Sequence, residues 1–438
     1  MSVDRLVAPS RRGVLRAVGA GALAAGATPA LAASDAASGP ARAADLQAIL
    51  DRYAGFGIKA SGGDGDTRCG AWIEATLGAL GYRCERQMFE APYFEARAAT
   101  LSVGGAEAGV FPQAIVVTTA DGVSAPLRRP DAGQDLNGAI AYIDLPPKRW
   151  VTLLDPQVRA PLEDALRRGA AAVVLVTHGV TGEAIALNVS PHHPGYPKPV
   201  VILAPKDAAA FAKAADAGGT ATLVVAGRGG RRPAFNVIAR LDRKAEKTLI
   251  VTTPRSGWFV CAAERGSGFA VWMDLARRLA AEDLGVNLEF AANSGHEYEF
   301  LGGEHYLERA ASKPQATRLW VHIGACAAAR DWHEFGGRLR PLPSADPQRV
   351  MTASPALLPA VSDAFRGLPG LEAVYAADAR NVGGELVNVQ KAGYERMIGL
   401  YGAHRYFHTA GDDLRCTSGE LVKPVAEAFH KAVLASLR

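Results

Sequence analysis

Apolar strand-like runs alternate with helix-like segments through the second half of the chain, and this alternation constrains the fold more than any other sequence feature. The strand-like runs are residues 235–241, 248–253, 286–292, 319–323, 371–375 and 396–401. The helix-like segments are residues 268–281, 303–311, 357–365 and 421–437. Strands that alternate with helices favour a mixed, mostly parallel sheet covered by helices on both faces. We therefore predict an α/β fold.

Residues 99–231 have a different sequence pattern, in which short β-rich runs are separated by turns. The runs are residues 138–143, 170–176, 199–203 and 221–225, and helical spacing appears at 160–168 and 207–217. A polar, basic stretch at 227–232 closes the region. The pattern predicts a β-rich insert in the α/β domain, which would then consist of residues 33–98 and 232–438.

Residues 1–32 have the composition of an export signal. Ser10-Arg11-Arg12-Gly13-Val14-Leu15 precedes an apolar, small-residue run, and Ala30-Leu31-Ala32 is an acceptable cleavage site. The paired arginines resemble a twin-arginine signal. An ordinary signal is one alternative, and an uncleaved anchor is disfavoured because the run is short for a membrane span. We predict a periplasmic or secreted protein without membrane contact after signal cleavage.

The overall composition excludes some classes of partner. The chain has 438 residues, of which 49% are hydrophobic and 21% charged, as is typical of globular proteins. Its formal net charge is only +4, and like charges do not cluster into long runs. The sequence therefore predicts neither a nucleic-acid nor an anionic-membrane partner. The expected partner is a small-molecule or peptide substrate, and the pattern carries no signal for a particular oligomeric state.

Five cysteines are scattered along the chain without a CxxC pair. This spacing favours neither a cysteine zinc site nor a dense disulfide framework. The odd number leaves at least one thiol free. A disulfide between Cys69 and Cys84 is an open alternative in an oxidising compartment.

Groups that bind metals or transfer protons recur at the carboxyl ends of the expected strands. They are Glu264, His296, Glu297, His322, Glu385, and His408 with Asp412. Because the carboxyl ends of parallel strands meet at one rim, where ligands bind, we expect these side chains to lie together. Locally, His296 beside Glu297 indicates a metal ligand plus a base, or only a capped loop. For the adjacent His192 and His193 we expect a solvated loop rather than a metal site.

Two other hydrolase motifs are incomplete. A zincin helix needs a second histidine four residues after His296, and position 300 is Phe. The serine-hydrolase motif GxSxG lacks its final glycine in Arg265-Gly266-Ser267-Gly268-Phe269.

A series of short blocks occurs in a characteristic order. The blocks are residues 236–241, 248–251, 264–268, 295–297 with 302–303, and the HTxxD element at 407–412. This order resembles the co-catalytic zinc aminopeptidase family, which includes bacterial leucyl aminopeptidases, glutamate carboxypeptidase, glutaminyl cyclases and the transferrin receptor. The resemblance covers nearly all of the mature chain and implies a zinc-exopeptidase-like fold. Residues 99–231 resemble the family's protease-associated domain.

The resemblance also implies roles for individual residues. Glu264 falls on the family's bridging Asp, Glu297 on its metal-binding Glu, and His408 on its last metal-binding His. His322 falls near a later metal-binding Asp. The family's HxD motif is replaced by Thr252-Thr253-Pro254-Arg255-Ser256-Gly257, which offers no imidazole.

These departures predict an altered site. Glu264, Glu297 and His408 would hold one zinc or another divalent ion, with His322 as a further ligand. His296, which stands at the family's general-base position, would be the base or a fourth ligand.

Three other residues are candidates around that site. Arg255 or Arg265 would bind an anionic group, or form a structural ion pair. Glu385 is a further candidate acid or base.

The sequence therefore predicts an exported, metal-dependent hydrolase that acts on a peptide or amide-like bond through a divergent site. The alternatives are a non-catalytic binding protein of peptidase ancestry and a different metal-assisted reaction on the same scaffold.

Overall fold

The computed structural model describes residues 39–113, 117–130, 133–191 and 196–438. The predicted signal at 1–32 and the pair His192 and His193 lie outside the described residues. Within the described ranges, no helix combines the length and apolar character that a bilayer crossing requires.

The strands and helices of the described residues are numbered in chain order. The strands are β1 (Arg83–Val103), β2 (Ala106–Pro112), β3 (Thr119–Arg128), β4 (Ile140–Leu145), β5 (Ala172–Thr177), β6 (Val200–Leu203), β7 (Thr220–Leu241), β8 (Thr248–Pro254), β9 (Asn287–Asn293), β10 (Thr317–Ile323), β11 (Arg330–Phe335), β12 (Arg338–Ala345), β13 (Arg349–Ala353), β14 (Val374–Ala376) and β15 (Met397–Gly402). The α-helices are α1 (Ala43–Ala54), α2 (Asp64–Ala79), α3 (Pro156–Arg167), α4 (Ala209–Ala217), α5 (Ser267–Ala280), α6 (Leu301–Arg309), α7 (Leu358–Ala364), α8 (Leu386–Lys391) and α9 (Gly419–Leu437).

The central sheet has the strand order β7-β9-β8-β10-β15-β13-β14. β8 pairs in parallel with β9 and β10, and β10 pairs in parallel with β15. The strands β7 and β13 run antiparallel to their inner neighbours β9 and β15. The carboxyl ends of β8, β9, β10 and β15 therefore lie along one rim.

Successive residues of the central strands pack on opposite faces of the sheet, as a pleated strand requires. Val251 belongs to a core with Phe269 of α5 and Val425 of α9. Its neighbour Ile250 belongs to a core with Tyr306 of α6 and Leu386 of α8. The predicted α/β fold, with a mostly parallel sheet covered on both faces, is confirmed.

The β-rich region is joined to the central sheet by two long strands. β1 and β7 pair antiparallel from Arg83 opposite Arg240 to Val103 opposite Ala221. The order β1-β2-β6-β5-β4-β3-β7, together with the β1–β7 pairing, closes the strands of this region into a ring. The boundaries predicted at 99 and 231 fall inside β1 and β7, so continuous strands connect the two regions.

The basic stretch at 227–232, expected to be a closing segment, lies inside β7. Its glycines suggest a loop in the sequence, but they permit a close approach of the two strands. A Cβ at Gly227 would lie 2.4 Å from the carbonyl oxygen of Glu95 in β1.

Other differences from the sequence-based expectation concern short elements. Although β7 and β8 are consecutive in the chain, β9 lies between them in the sheet. The strands β2, β3, β11, β12 and β13 and the helix α8 were not predicted. Most residues of β12 are exposed, so they carry little apolar signal. All five cysteines are free thiols, and Cys69 and Cys84 are not bonded to each other.

Candidate active site

Six side chains from several strand ends and loops form a buried cluster, here called the rim pocket. Glu264 and Arg265 lie in a π-helical turn (Ala262–Gly266) between β8 and α5, and His322 lies near the end of β10. The members of the rim pocket are Glu264, Arg265, His296, His322, Glu385 and His408, all buried. His296 keeps the largest exposed fraction, 7%, so the pocket approaches the surface at this imidazole.

An ion pair dominates the deep side of the rim pocket. Nη2 of Arg265 lies 2.8 Å from Oε1 of Glu264, and Nε2 of His408 lies 3.2 Å from the same oxygen. Burial alone would raise the pKa of Glu264, but Arg265 and His408 outweigh it and hold this pKa well below its usual range. Apart from this ion pair, the two Nη atoms of Arg265 have no hydrogen-bond partner in the described chain.

The imidazole of His408 is oriented by the β-rich region. Its Nδ1 lies 2.8 Å from the carbonyl oxygen of Ala186, an acceptor, so Nδ1 carries the proton and donates it. The imidazole is thereby oriented with Nε2 towards Glu264. The backbone of His408 has a positive φ of 57°, and its carbonyl accepts a hydrogen bond from the amide of Ala186 at 2.9 Å.

The shallow side of the rim pocket contains a histidine–glutamate pair. Nδ1 of His296 lies 3.2 Å from Oε1 of Glu385. The other oxygen of Glu385 accepts a hydrogen bond of 2.7 Å from the side-chain amide of Asn293. Asn293 thus orients the carboxylate, and the carboxylate orients the imidazole.

His322 lies against this pair. Its Nδ1 is 2.9 Å from the hydroxyl of Thr252, and its Nε2 has no hydrogen-bond partner among the described residues. A Cβ at Gly384 would lie 3.8 Å from Nε2 of His322 and 4.0 Å from Cε1 of His296. Both imidazoles therefore face the same glycine.

Burial sets the protonation of the shallow groups. It lowers the pKa of His296 well below its ordinary value of 6.5, and the charge of Arg265 acts in the same direction. It also lowers the pKa of His322 to about 4. Burial raises the pKa of Glu385 above 4.5, although the neighbouring His322 opposes this shift. At neutral pH the imidazoles of His296 and His322 are therefore uncharged and able to accept a proton.

Glu297, predicted as a metal ligand, has other partners. Its Oε1 accepts a hydrogen bond from the amide of Ser61 at 2.8 Å, and its Oε2 accepts one from the hydroxyl of Ser256 at 2.6 Å. Burial raises the pKa of this carboxyl group. The hydroxyl of Ser256 also accepts a hydrogen bond from the amide of Gly295, so Glu297 helps to hold the turn that carries His296.

Arg255 forms a structural ion pair, one of the two alternatives open from the sequence. Its Nε lies 3.0 Å from Oδ1 of Asp66, and both side chains are fully enclosed. Its Nη atoms donate to the carbonyl oxygens of Ala292 and Phe235, each at 2.7 Å. The guanidinium is thus satisfied by protein atoms, whereas that of Arg265 faces the rim pocket.

This arrangement differs from the single-zinc site expected from the sequence. Among the described residues, two sets of three His, Cys, Asp or Glu side chains have ligand atoms within 4.8 Å of one another: His404–Asp412–Cys416 and Cys261–Glu264–Asp412. Neither set joins Glu264 to Glu297, His322 or His408. A dication beside the buried Arg265 would also add positive charge where a guanidinium already neutralises Glu264. The four predicted ligands therefore do not bring three ligand atoms within this distance of one another.

Several residues of this region escaped the sequence analysis. The turn and the ion pairs are held by Asp66, Ser256 and Asn293. In the sequence these three residues have the composition of ordinary loops. His404 stands four residues before His408, and this spacing was the one available signal for it.

Three solved structures resemble the chain over nearly its whole length. The zinc aminopeptidase BSAP from Bacillus subtilis has a TM-score of 0.69 and 18% identity, covering 90% of this chain and 95% of its own. A peptidase M28 precursor from Shewanella amazonensis SB2B has a TM-score of 0.69 and 16% identity, covering 91% and 93%. An aminopeptidase from Aneurinibacillus sp. strain AM-1 has a TM-score of 0.64 and 18% identity, covering 90% and 93%.

By contrast, no sequence-family model and no curated protein matches the chain. At these identities the structural likeness concerns the fold. The chain therefore has the fold of the zinc aminopeptidases and M28 peptidases.

Proposed function

We propose that this chain is an exported hydrolase that acts on a peptide or amide-like bond in the rim pocket. The observation that carries the proposal is the oriented pair of His296 and Glu385, 3.2 Å apart, in a pocket that also holds the guanidinium of Arg265. Hydrolysis of a carbonyl compound is assisted by a general base, which the carboxylate orients here, and by a fixed cation that stabilises the developing negative charge.

The proposed chemistry uses protein groups. His296 donates its Nδ1 proton to Glu385 in a hydrogen bond, which leaves Nε2 free to accept a proton from water. The water oxygen attacks the substrate carbonyl, and the negative charge that develops on the carbonyl oxygen is stabilised by the Arg265 guanidinium. The imidazolium of His296 then returns the proton to the leaving amine, and the carbon–nitrogen bond breaks.

The predicted export signal at 1–32 supports an activity in the periplasm or outside the cell. The single-zinc role of Glu264, Glu297, His322 and His408 stays a prediction, which activity in the presence and absence of a chelator tests.

The experiment is a substrate screen with the mature chain, residues 33–438, against aminoacyl anilides, short peptides and N-acyl amino acids. For a substrate that is turned over, we expect His296→Gln to reduce kcat by roughly 10²- to 10⁴-fold. The control is His333→Gln, which alters an exposed histidine of β11 and should leave kcat unchanged.

Two outcomes would contradict the proposal. One is full activity of the His296→Gln variant. The other is saturable binding of these compounds with no turnover, which would support the alternative of a non-catalytic binding protein. Nη1 of Arg265, which has no partner among the described residues, favours that second function because it can donate to a substrate carboxylate.

A further inference from the structure

A second cluster of potential ligands lies behind the rim pocket, and no step of the proposed reaction uses it. It consists of His404, Asp412 and Cys416, all buried, whose ligand atoms lie within 4.8 Å of one another. We propose that these three side chains, here called the thiol–imidazole site, bind one zinc ion or a similar soft divalent cation.

The strongest support comes from His404. The side chain is fully enclosed, and neither ring nitrogen has a hydrogen-bond partner among the described residues. Its Nε2 lies 3.4 Å from Oδ2 of Asp412. Because a buried polar atom without a partner costs free energy, an imidazole in this state needs a bound ion or a water molecule.

Cys416 supplies a soft ligand. Its Sγ lies 3.5 Å from the carbonyl oxygen of Gly411, a weak hydrogen bond that a thiolate–metal bond would replace. Binding would release the Sγ proton to solvent, and the sulfur would donate its electron pair to the metal.

The charges balance in the bound state. A neutral imidazole, a carboxylate and a thiolate together carry two negative charges, which neutralise a dication in a buried site. Nitrogen, oxygen and sulfur are all ligands that zinc accepts, and three protein ligands leave a fourth position for water.

The alternative set, Cys261–Glu264–Asp412, is less suited to a cation. Its Glu264 oxygen already faces the Arg265 guanidinium at 2.8 Å. The Asp412 carboxylate of the thiol–imidazole site instead lies 3.4 Å from the imidazole of His404. The thiol–imidazole site is therefore the better place for an ion.

An ion at this site would reinforce the turn that carries the rim pocket. The Asp412 carboxylate accepts hydrogen bonds from the amides of Ala263 and Glu264, each at 2.9 Å. A metal-bound Asp412 would thus hold the π-helical turn in place, as a structural site rather than as a participant in hydrolysis.

The test is the metal content of the mature chain produced in zinc-supplemented and in cobalt-supplemented medium. We expect one zinc ion per chain, and in the cobalt form a thiolate-to-cobalt charge-transfer band in the near ultraviolet. His404→Ala and Cys416→Ser should each weaken binding by more than the roughly 10- to 100-fold that loss of an outer-shell partner costs. Cys84→Ser, which alters a half-buried cysteine outside the cluster, should retain the ion.

The variant His322→Gln separates this site from the rim pocket. If the ion is held by the thiol–imidazole site, this variant keeps both the zinc and the cobalt band. A wild-type protein without bound zinc or without the thiolate band would overturn the proposal, as would loss of the ion in His322→Gln. None of these readouts depends on turnover, so they are independent of the proposed hydrolysis.

Discussion

The guanidinium of Arg265 lies 2.8 Å from the carboxylate of Glu264, and neither side chain is more than 1% exposed. The two residues are adjacent in the chain, and the π-helical turn points both side chains into the same pocket. The family resemblance places a metal-bridging carboxylate at Glu264. Here its charge is neutralised by the guanidinium of Arg265, the next residue in the chain.

The first prediction concerns this ion pair. Arg265→Met leaves the buried Glu264 without its main compensating charge, and we expect the free energy of unfolding to fall by about 3–5 kcal/mol. Urea denaturation measures this change. The surface pair of Arg86 and Glu74 provides the control, because Glu74→Gln should cost only about 0–1 kcal/mol. Equal losses in the two variants would contradict the prediction.

The second prediction concerns stability at acidic pH. The pKa of Glu264 is lower in the folded chain than its ordinary value of 4.5. Its contribution to stability is therefore fully present above pH 4.5 and is lost as the pH falls through the lower folded-state pKa. We expect the unfolding free energy of the wild type to decline more steeply below pH 4.5 than that of Glu264→Gln. Parallel curves for the two proteins, measured by urea denaturation, would exclude this linkage.

The third prediction concerns the pH dependence of turnover. The base must be unprotonated, and the pKa of His296 is lowered below 6.5 while that of Glu385 is raised above 4.5. We expect kcat/KM to be constant above pH 6.5 and to fall as the pH drops from 6.5 towards and below 4.5. In Glu385→Gln the pH range over which kcat/KM falls should shift. The value of kcat should also fall with little change in KM, because the glutamine no longer orients the base as a carboxylate does. An unshifted pH range would argue against this positioning role.

The fourth prediction concerns the packing of the turn at 294–302. A Cβ at Gly302 would lie 1.9 Å from the carbonyl oxygen of Ser294 and 2.6 Å from Oδ1 of Asn236. Gly302→Ala must therefore displace the turn that carries His296, with an expected loss of about 3 kcal/mol, the upper part of the range for overpacking. Thermal and urea denaturation measure this loss.

Gly78 in α2 is the matched control for this substitution, because a Cβ there meets no atom within 4 Å. Gly78→Ala should be neutral, or stabilising by up to about 1 kcal/mol, since alanine is the better helix former. A Gly302→Ala variant as stable as the control would show that the turn adjusts freely.

The agreement between sequence and structure is closest where a single physical rule operates. The alternation of apolar strands and helices specified a doubly covered parallel sheet, because each face must be buried. It also placed His296 and His322 at one rim, because the parallel strands β9 and β10 end on the same side. The sequence predicts two short strands on either side of the glycines at 227–230, because glycines are typical of turns. Only the pairing with β1 shows that these glycines lie within one long strand, β7.

The sequence by itself determined the α/β scaffold and the set of titratable groups at its rim, because both follow from periodicity and from the order of elements. Only the tertiary structure decided what those groups contact. Glu297 accepts hydrogen bonds from Ser61 and Ser256, which come from distant parts of the chain, and Arg255 pairs with Asp66. Arg265 instead occupies the position beside Glu264. These assignments depend on side-chain direction and on partners far apart in sequence, which spacing along the chain does not encode.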